Sequence, residues 1–138
     1  MRVPQSLDYA LRAVVLLALQ PPGEYIAAGV LANHLSLPRR FVEQQVTALS
    51  RAGIVRCRRG ASGGCELARA AGEVTVLDVV QAIQGDVLDV PHVTGSSASA
   101  LWEDVADQLG GFLSAVTLED LAERQRAIDG AATSMYWI

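Results

Sequence analysis

The sequence predicts a mainly α-helical fold carrying one small β-hairpin, and three observations predict it. Apolar residues recur at helical spacing over most of the chain. Two of the amphipathic stretches are separated only by the break Ser36-Leu37-Pro38. The second of them is followed at once by two short β-prone runs flanking a glycine-rich turn.

Taken in order, Leu7, Leu11, Val14, Leu17 and Ala18 fit the i, i+4, i+7 spacing of a first helix. Ser6 is its expected cap, and Pro21-Pro22-Gly23 lies beyond its end. A second helix fits residues 28–35, with Val30, Leu31 and Leu35 on one face. A third fits residues 38–52, because Pro38 is tolerated at a first helical position and Gly53 suits a C-terminal stop. Its apolar side holds Phe41, Val42, Val46 and Leu49, and its polar side holds Arg39, Arg40, Glu43, Gln44 and Thr47. Residues 54–59 and 65–68 then read as strands around Gly60-Ala61-Ser62-Gly63-Gly64. Two helices joined by a tight turn, the second presenting a polar face and followed by a hairpin, make a winged helix-turn-helix.

Residues 76–83 form a further short helix with Thr75 as cap, and residues 84–99 read as a loop. A long helix follows with the apolar set Leu101, Trp102, Val105, Leu109, Phe112, Leu113 and Val116. That stripe is wider than the few remaining elements can cover, so a second copy of the chain is expected to cover it. Thr117-Leu118-Glu119-Asp120 opens a last short helix, and a tail is expected from Asp129 on. The organisation is thus a DNA-binding domain over 1–84, a loop over 85–99 where an effector would act, dimerisation helices over 100–128, and a tail over 129–138.

The charge supports a polyanion partner despite the overall −4. Residues 1–69 hold nine arginines against four acidic residues, a net charge of +5, whereas residues 70–138 net −9. Six arginines and one acid fall between positions 39 and 59, on the third helix and the hairpin. Arg forks onto guanine, Gln onto adenine, and Glu accepts from cytosine, so Arg39, Arg40, Glu43, Gln44 and Thr47 are candidates for reading major-groove base edges of double-stranded DNA. An ion pair of Glu43 with Arg39 or Arg40 is the alternative for that acid. Arg58 and Arg59 precede the turn and are candidates for the minor groove, with Gly60, Ser62, Gly63 and Gly64 permitting close approach to phosphates. A plain hairpin with a mobile tip is the competing reading.

Other classes are excluded or disfavoured. His34 and His92 stand in unrelated contexts, and neither a nucleophile elbow nor a phosphate loop is present, so no enzyme is expected. No apolar run is long enough for a membrane span, and no signal peptide opens the sequence, so a cytoplasmic location is expected. A winged-helix adaptor that binds protein instead of DNA is the alternative function. Cys57 and Cys65 are too few for a disulfide scaffold and are expected as reduced thiols. Only an odd-numbered loop centred on Ala61 would make them a cross-strand pair. Cys65, beside Arg58 and Arg59, is a candidate redox-sensing thiol, with a small packing residue as the plainer reading.

Several stretches together resemble the Rrf family of winged helix-turn-helix transcription regulators, which includes IscR, NsrR and CymR. They are Asp8-Tyr9-Ala10-Leu11-Arg12-Ala13, Phe41-Val42-Glu43-Gln44, Arg51-Ala52-Gly53-Ile54-Val55 and Arg59-Gly60-Ala61-Ser62-Gly63-Gly64. Thr75-Val76-Leu77-Asp78-Val79-Val80, Ala100-Leu101-Trp102 and Thr117-Leu118 fit as well. The resemblance implies a dimer formed through the long helix, and DNA reading by Glu43, Gln44 and Arg59. Tyr9 is a further candidate DNA-binding residue. Cluster-binding members carry three cysteines in the loop before the long helix, and here residues 84–99 contain none, so no iron–sulfur cluster or other metal is expected. Cys65 stands where the family often has an aromatic. A homodimeric repressor acting by occlusion of its operator is the expected function, with a small-molecule or redox effector left open.

Overall fold

The computed structural model describes residues 2–136. Its elements are α1 (Gln5–Ala18), α2 (Ala28–Leu35), α3 (Arg39–Arg51), β1 (Val55–Arg58), β2 (Gly64–Leu67), a 3-10 turn at Ala71–Glu73, α4 (Val76–Gln84), α5 (Ser97–Ser114) and α6 (Leu118–Tyr136). This is the mainly α fold with a two-stranded antiparallel hairpin that the periodicity predicts.

The core is aliphatic and is organised around α1. Ala10, Ala13 and Val14 are essentially inaccessible, and the two alanines keep that face thin enough for neighbours to close on it. α2, α3, α4, α6 and β2 all pack against α1. Leu31 of α2, Val42 and Leu49 of α3, Ile54, Val79 of α4 and Leu118 of α6 complete the interior. Burial of such side chains stabilises by about 1.5–3 kcal/mol each, so the packing of one apolar stripe per helix dominates the stability.

Most helix and strand ends shift by one residue from the sequence expectation, and larger differences occur at a few places. The Pro4 carbonyl already accepts from the Asp8 N–H at 3.1 Å, so α1 begins ahead of Ser6, which lies in its first turn and does not cap it. α5 begins before residue 100 because the Ser96 hydroxyl accepts from the Ser99 N–H, while the buried Ser99 hydroxyl accepts from the Val93 N–H. The last helix is not short. It continues through residues 129–136, where a tail was expected, and the Gln125 amide donates to Asp129 at 3.0 Å across the expected end. The 3-10 turn has no periodicity from which to be read. Residues 137 and 138 of the expected tail lie outside the described residues.

Two matched caps join the C-terminal helices to the body. The Thr75 hydroxyl accepts from the Asp78 N–H and the Asp78 carboxylate from the Thr75 N–H, at 3.1 and 2.9 Å. Thr117 and Asp120 repeat this pair at the start of α6 with the same distances. The segments before the two helices run antiparallel and bond to each other, Val76 N–H to the Val116 carbonyl and Leu118 N–H to the Val74 carbonyl. The N-termini of α4 and α6 are thereby fixed side by side.

The hairpin pairs Val55 with Leu67, Arg56 with Glu66, Cys57 with Cys65 and Arg58 with Gly64. β2 has a second neighbour, because Cys65 and Ile26 exchange backbone hydrogen bonds of 2.9 and 2.8 Å. Gly64 has φ +144°, and a Cβ there would lie 2.4 Å from the Ile26 carbonyl carbon. The Glu66 carboxylate accepts from Arg56 Nε at 2.8 Å and from the Gly23 N–H at 3.2 Å. The Arg56 hydrogen bond, foremost, holds this carboxyl below its ordinary value against the opposing effect of desolvation.

Two outcomes follow. Gly64→Ala is expected to destabilise the protein by about 3 kcal/mol, a size typical of overpacking combined with backbone strain, as measured by urea unfolding. A carboxyl held below its ordinary value contributes stability above that value and loses it as pH falls through the lowered one. Glu66→Gln is therefore expected to lower Tm at neutral pH, with the difference from the parent vanishing well below the ordinary carboxyl value of 4.5.

Candidate nucleic-acid interface

The outward face of α3 is set by what its inner face must bury. Val42, Gln45, Val46 and Leu49 turn inward. The 3.6-residue period then leaves Arg39, Arg40, Glu43, Gln44 and Thr47 exposed together. Arg39 Nε donates to Glu43 Oε1 at 2.8 Å, so the intrahelical ion pair exists in the free protein. Both partners remain more than half exposed, and such pairs open at small cost. The Thr47 hydroxyl donates back to the Glu43 carbonyl at 2.9 Å. The Arg40 guanidinium lies 5.1 Å from the Phe41 ring centroid. Phe41 in turn meets Tyr9 of α1, with ring centroids 6.3 Å apart. Tyr9 thus braces the N-terminal end of α3 and keeps a partly exposed edge.

The wing treats its two arginines differently. The Arg58 guanidinium sits over the Tyr25 ring, 4.0 Å from its centroid, and its Nη2 donates to the Ser62 carbonyl at 3.3 Å. It clamps the turn to the segment before α2. Among the described residues, no hydrogen bond or ion pair engages the exposed Arg59 guanidinium. The tip is tight. The Gly63 N–H bonds to the Gly60 carbonyl at 2.9 Å, Gly60 has φ +110°, and a Cβ on Gly63 would lie 2.4 Å from the Arg58 carbonyl oxygen. Gly60, Ser62, Gly63 and Gly64 therefore shape the loop that presents Arg59. Tyr25 was missed at the sequence level. Its one signal is position, in a β-prone Tyr-Ile pair between Gly23 and α2.

The cysteines correct the expectation of reduced thiols. Cys57 and Cys65 form a disulfide. The loop between the strands is the odd-numbered one centred on Ala61, so the two face each other. Cys65, the candidate sensor, is buried, and the exposed member of the pair is Cys57.

The apolar set of the long helix divides. Leu101, Trp102 and Phe112 are exposed at 55, 41 and 68%. Val105 and Leu109 are half-buried beside them. Leu113 and Val116 pack against the core of their own chain, Val116 from beyond the end of α5.

Comparison with known proteins decides the family. The family model described as Rrf2, iron-dependent transcriptional regulator, matches residues 3–124. The chain belongs to the Rrf2 family. An Rrf2 assignment makes it a transcriptional regulator and not an enzyme. It is 29% identical to the HTH-type transcriptional regulator IscR of Photorhabdus laumondii over 95% of this chain and 85% of that protein. Among solved structures it is similar to CymR, the global cysteine regulator of B. subtilis, with a TM-score of 0.80, 26% identity, and coverage of 90% of this chain and 98% of that one. IscR of T. potens superposes with a TM-score of 0.78 at 26% identity, covering 91% and 88%. The Rrf2 description names iron, and the donor chemistry here does not fit it. The loop between α4 and α5 has no cysteine, and both cysteines of the chain are joined in the wing. Among the described residues no group of three or more His, Cys, Asp or Glu side chains converges to hold a metal. Nor is any described helix long and apolar enough to cross a membrane.

The two wing arginines separate in an unfolding experiment. Arg58→Ala is expected to cost about 1 kcal/mol, through loss of the cation–π contact and its hydrogen bond. Arg59→Ala is expected to stay within about 0.5 kcal/mol of the parent.

Proposed function

We propose that this Rrf2 protein is a homodimeric, sequence-specific repressor that works without an iron–sulfur cluster. The observation that carries the DNA reading is the exposed polar face of α3, Arg39, Arg40, Glu43, Gln44 and Thr47, standing beside a wing whose Arg59 is unengaged. A helix face of this composition enters the major groove and forks onto base edges. Arg59, carried on a glycine-shaped tip, reaches the adjacent minor groove. Arg58 supports the tip from within. Glu43 selects: beside arginines it repels phosphate, and it gains only where a cytosine amino group meets it.

The dimer rests on the exposed Leu101, Trp102 and Phe112 of α5, which a second copy of the same helix would cover. Two such winged domains read two half-sites, and occupancy alone then blocks transcription. The absence of thiolate donors from the loop between α4 and α5 supports regulation by something other than a cluster. A cytoplasmic location agrees with a DNA partner.

Fluorescence anisotropy against duplex DNA from upstream of the protein's own gene, with a scrambled duplex beside it, tests the reading. Preferential binding that weakens steeply with salt is expected. Arg59→Ala and Gln44→Ala are each expected to cost about 1–3 kcal/mol of binding, with Gln44→Ala also narrowing the preference for the upstream duplex. Binding to neither duplex at low salt would sink the repressor in favour of a protein-binding adaptor. For the dimer, the double change Trp102→Glu and Phe112→Glu is expected to give a folded monomer in sedimentation velocity.

A further inference from the structure

Cys57 and Cys65 occupy a particular kind of strand position. The N–H and C=O of Cys65 both turn away from β1 toward Ile26. A residue that spends both groups on one neighbour faces the other as a non-hydrogen-bonded pair, where Cα atoms approach to about 4.5 Å. Here they are 4.2 Å apart, and the side chains share a face. The sequence separation of eight places residues 58–64 inside the ring that the sulfurs close. That ring contains Arg59 and the Gly60, Ser62, Gly63 and Gly64 that shape its tip, together with Arg58, which supports the tip from within. Its two ends differ in access. Cys65 is 4% exposed and belongs to the core, whereas Cys57 lies on the exposed part of β1.

We propose that Cys57 and Cys65 are a reversible oxidation site, closed by a peroxide and opened by a thiol, whose closed form binds DNA more tightly. The inference rests on the reading of the wing as a DNA contact. In the reduced protein the accessible Cys57 thiolate attacks one peroxide oxygen, breaks the O–O bond and becomes a sulfenic acid as hydroxide leaves. The Cys65 thiolate, already opposite, attacks that sulfur and expels a second hydroxide, and the thiol protons convert both hydroxides to water. Two thiols and one hydrogen peroxide thus give one disulfide and two waters, the sulfurs losing the two electrons that the O–O bond gains. Opening runs by exchange. An external thiolate attacks the sulfur of Cys57, the more exposed residue of the pair, Cys65 departs as thiolate, and a second thiol releases Cys57 while the reductant leaves as its own disulfide.

The link to affinity is order. With the ring open, β2 stays anchored through Ile26, but β1 and the glycine-rich tip lose their covalent tie. A tip with Gly60, Gly63 and Gly64 then samples conformers that DNA binding must select among. Closing the ring removes part of that ordering cost before the encounter.

The experiment uses the full chain, reduced with excess dithiol or oxidised with stoichiometric hydrogen peroxide, with intact mass reporting the loss or return of two hydrogens. Anisotropy is read on the upstream and scrambled duplexes for each form. The oxidised form is expected to bind the upstream duplex about 10-fold tighter, equivalent to about 1.4 kcal/mol, and renewed reduction is expected to reverse the gain. Cys57→Ser, at an exposed position that leaves the core untouched, is expected to bind alike under both treatments, at the level of the reduced parent. Equal affinity of two forms that differ in mass would overturn the inference while leaving the DNA reading intact. Peroxide that yields only sulfinic acid or cross-linked chains would also overturn it. Binding of neither form to either duplex at low salt would remove the DNA reading itself, and the inference with it.

Discussion

Two backbone hydrogen bonds between Ile26 and Cys65 hold the wing against the helical body, and much of the site's geometry descends from them. Because β2 takes Ile26 as its second neighbour, the residue before Cys65 must be a glycine; any side chain would strike the Ile26 carbonyl. Because Cys65 bonds away from β1, Cys57 stands opposite it at the narrow spacing. The same approach brings Tyr25 under Arg58 and Gly23 to the Glu66 carboxylate. A hairpin of two short strands is marginal by itself. Here the body supplies the third strand position, and the tip that carries Arg59 acquires a defined place relative to α3.

The second half of the chain uses a different device. α4 and α6 each open on a Thr-x-x-Asp box, and the residues before them bond to one another. Each box satisfies orphan N–H groups and places a carboxylate at the positive end of its helix. The mutual bridge then fixes where the long helices leave the winged domain. α5 departs from α4 through the loop that lacks cysteines and carries Leu101, Trp102 and Phe112 into the open. The exposed apolar side chains of α5 thus lie between two helices whose starts are fixed by local cap chemistry.

How far the chain could be read from its sequence follows from the range of each interaction. The polar face of α3 was legible because a period of 3.6 leaves little choice once Val42, Val46 and Leu49 are inward. The capping of α4 by Thr75 was legible because a capping box spans only four residues. The cysteine pair was legible only conditionally: their facing depends on the loop length, which strand ends uncertain by a residue do not settle. The Arg58–Tyr25 stack was not legible, because nothing local to either residue announces the other. The apolar stripe of the long helix concealed a division, since spacing alone does not say that Leu113 and Val116 turn to their own core while Trp102 does not. The length of α6 was missed because its later turns rest on alanine propensity and a Gln125–Asp129 contact, with little amphipathic pattern to extend.

The central place of α1 has a consequence for how the chain is made. α1 is synthesised early, yet part of its apolar face is covered by α6, whose first residue comes about a hundred positions after the last of α1. During translation the earlier elements can close around α1 while the part that α6 covers stays bare until α6 leaves the ribosome. Chains fold progressively from the N-terminus, and a helix awaiting so distant a partner exposes apolar surface in the interval. The nascent protein is therefore most open to chaperone capture after the wing is complete and before the second Thr-x-x-Asp box has emerged.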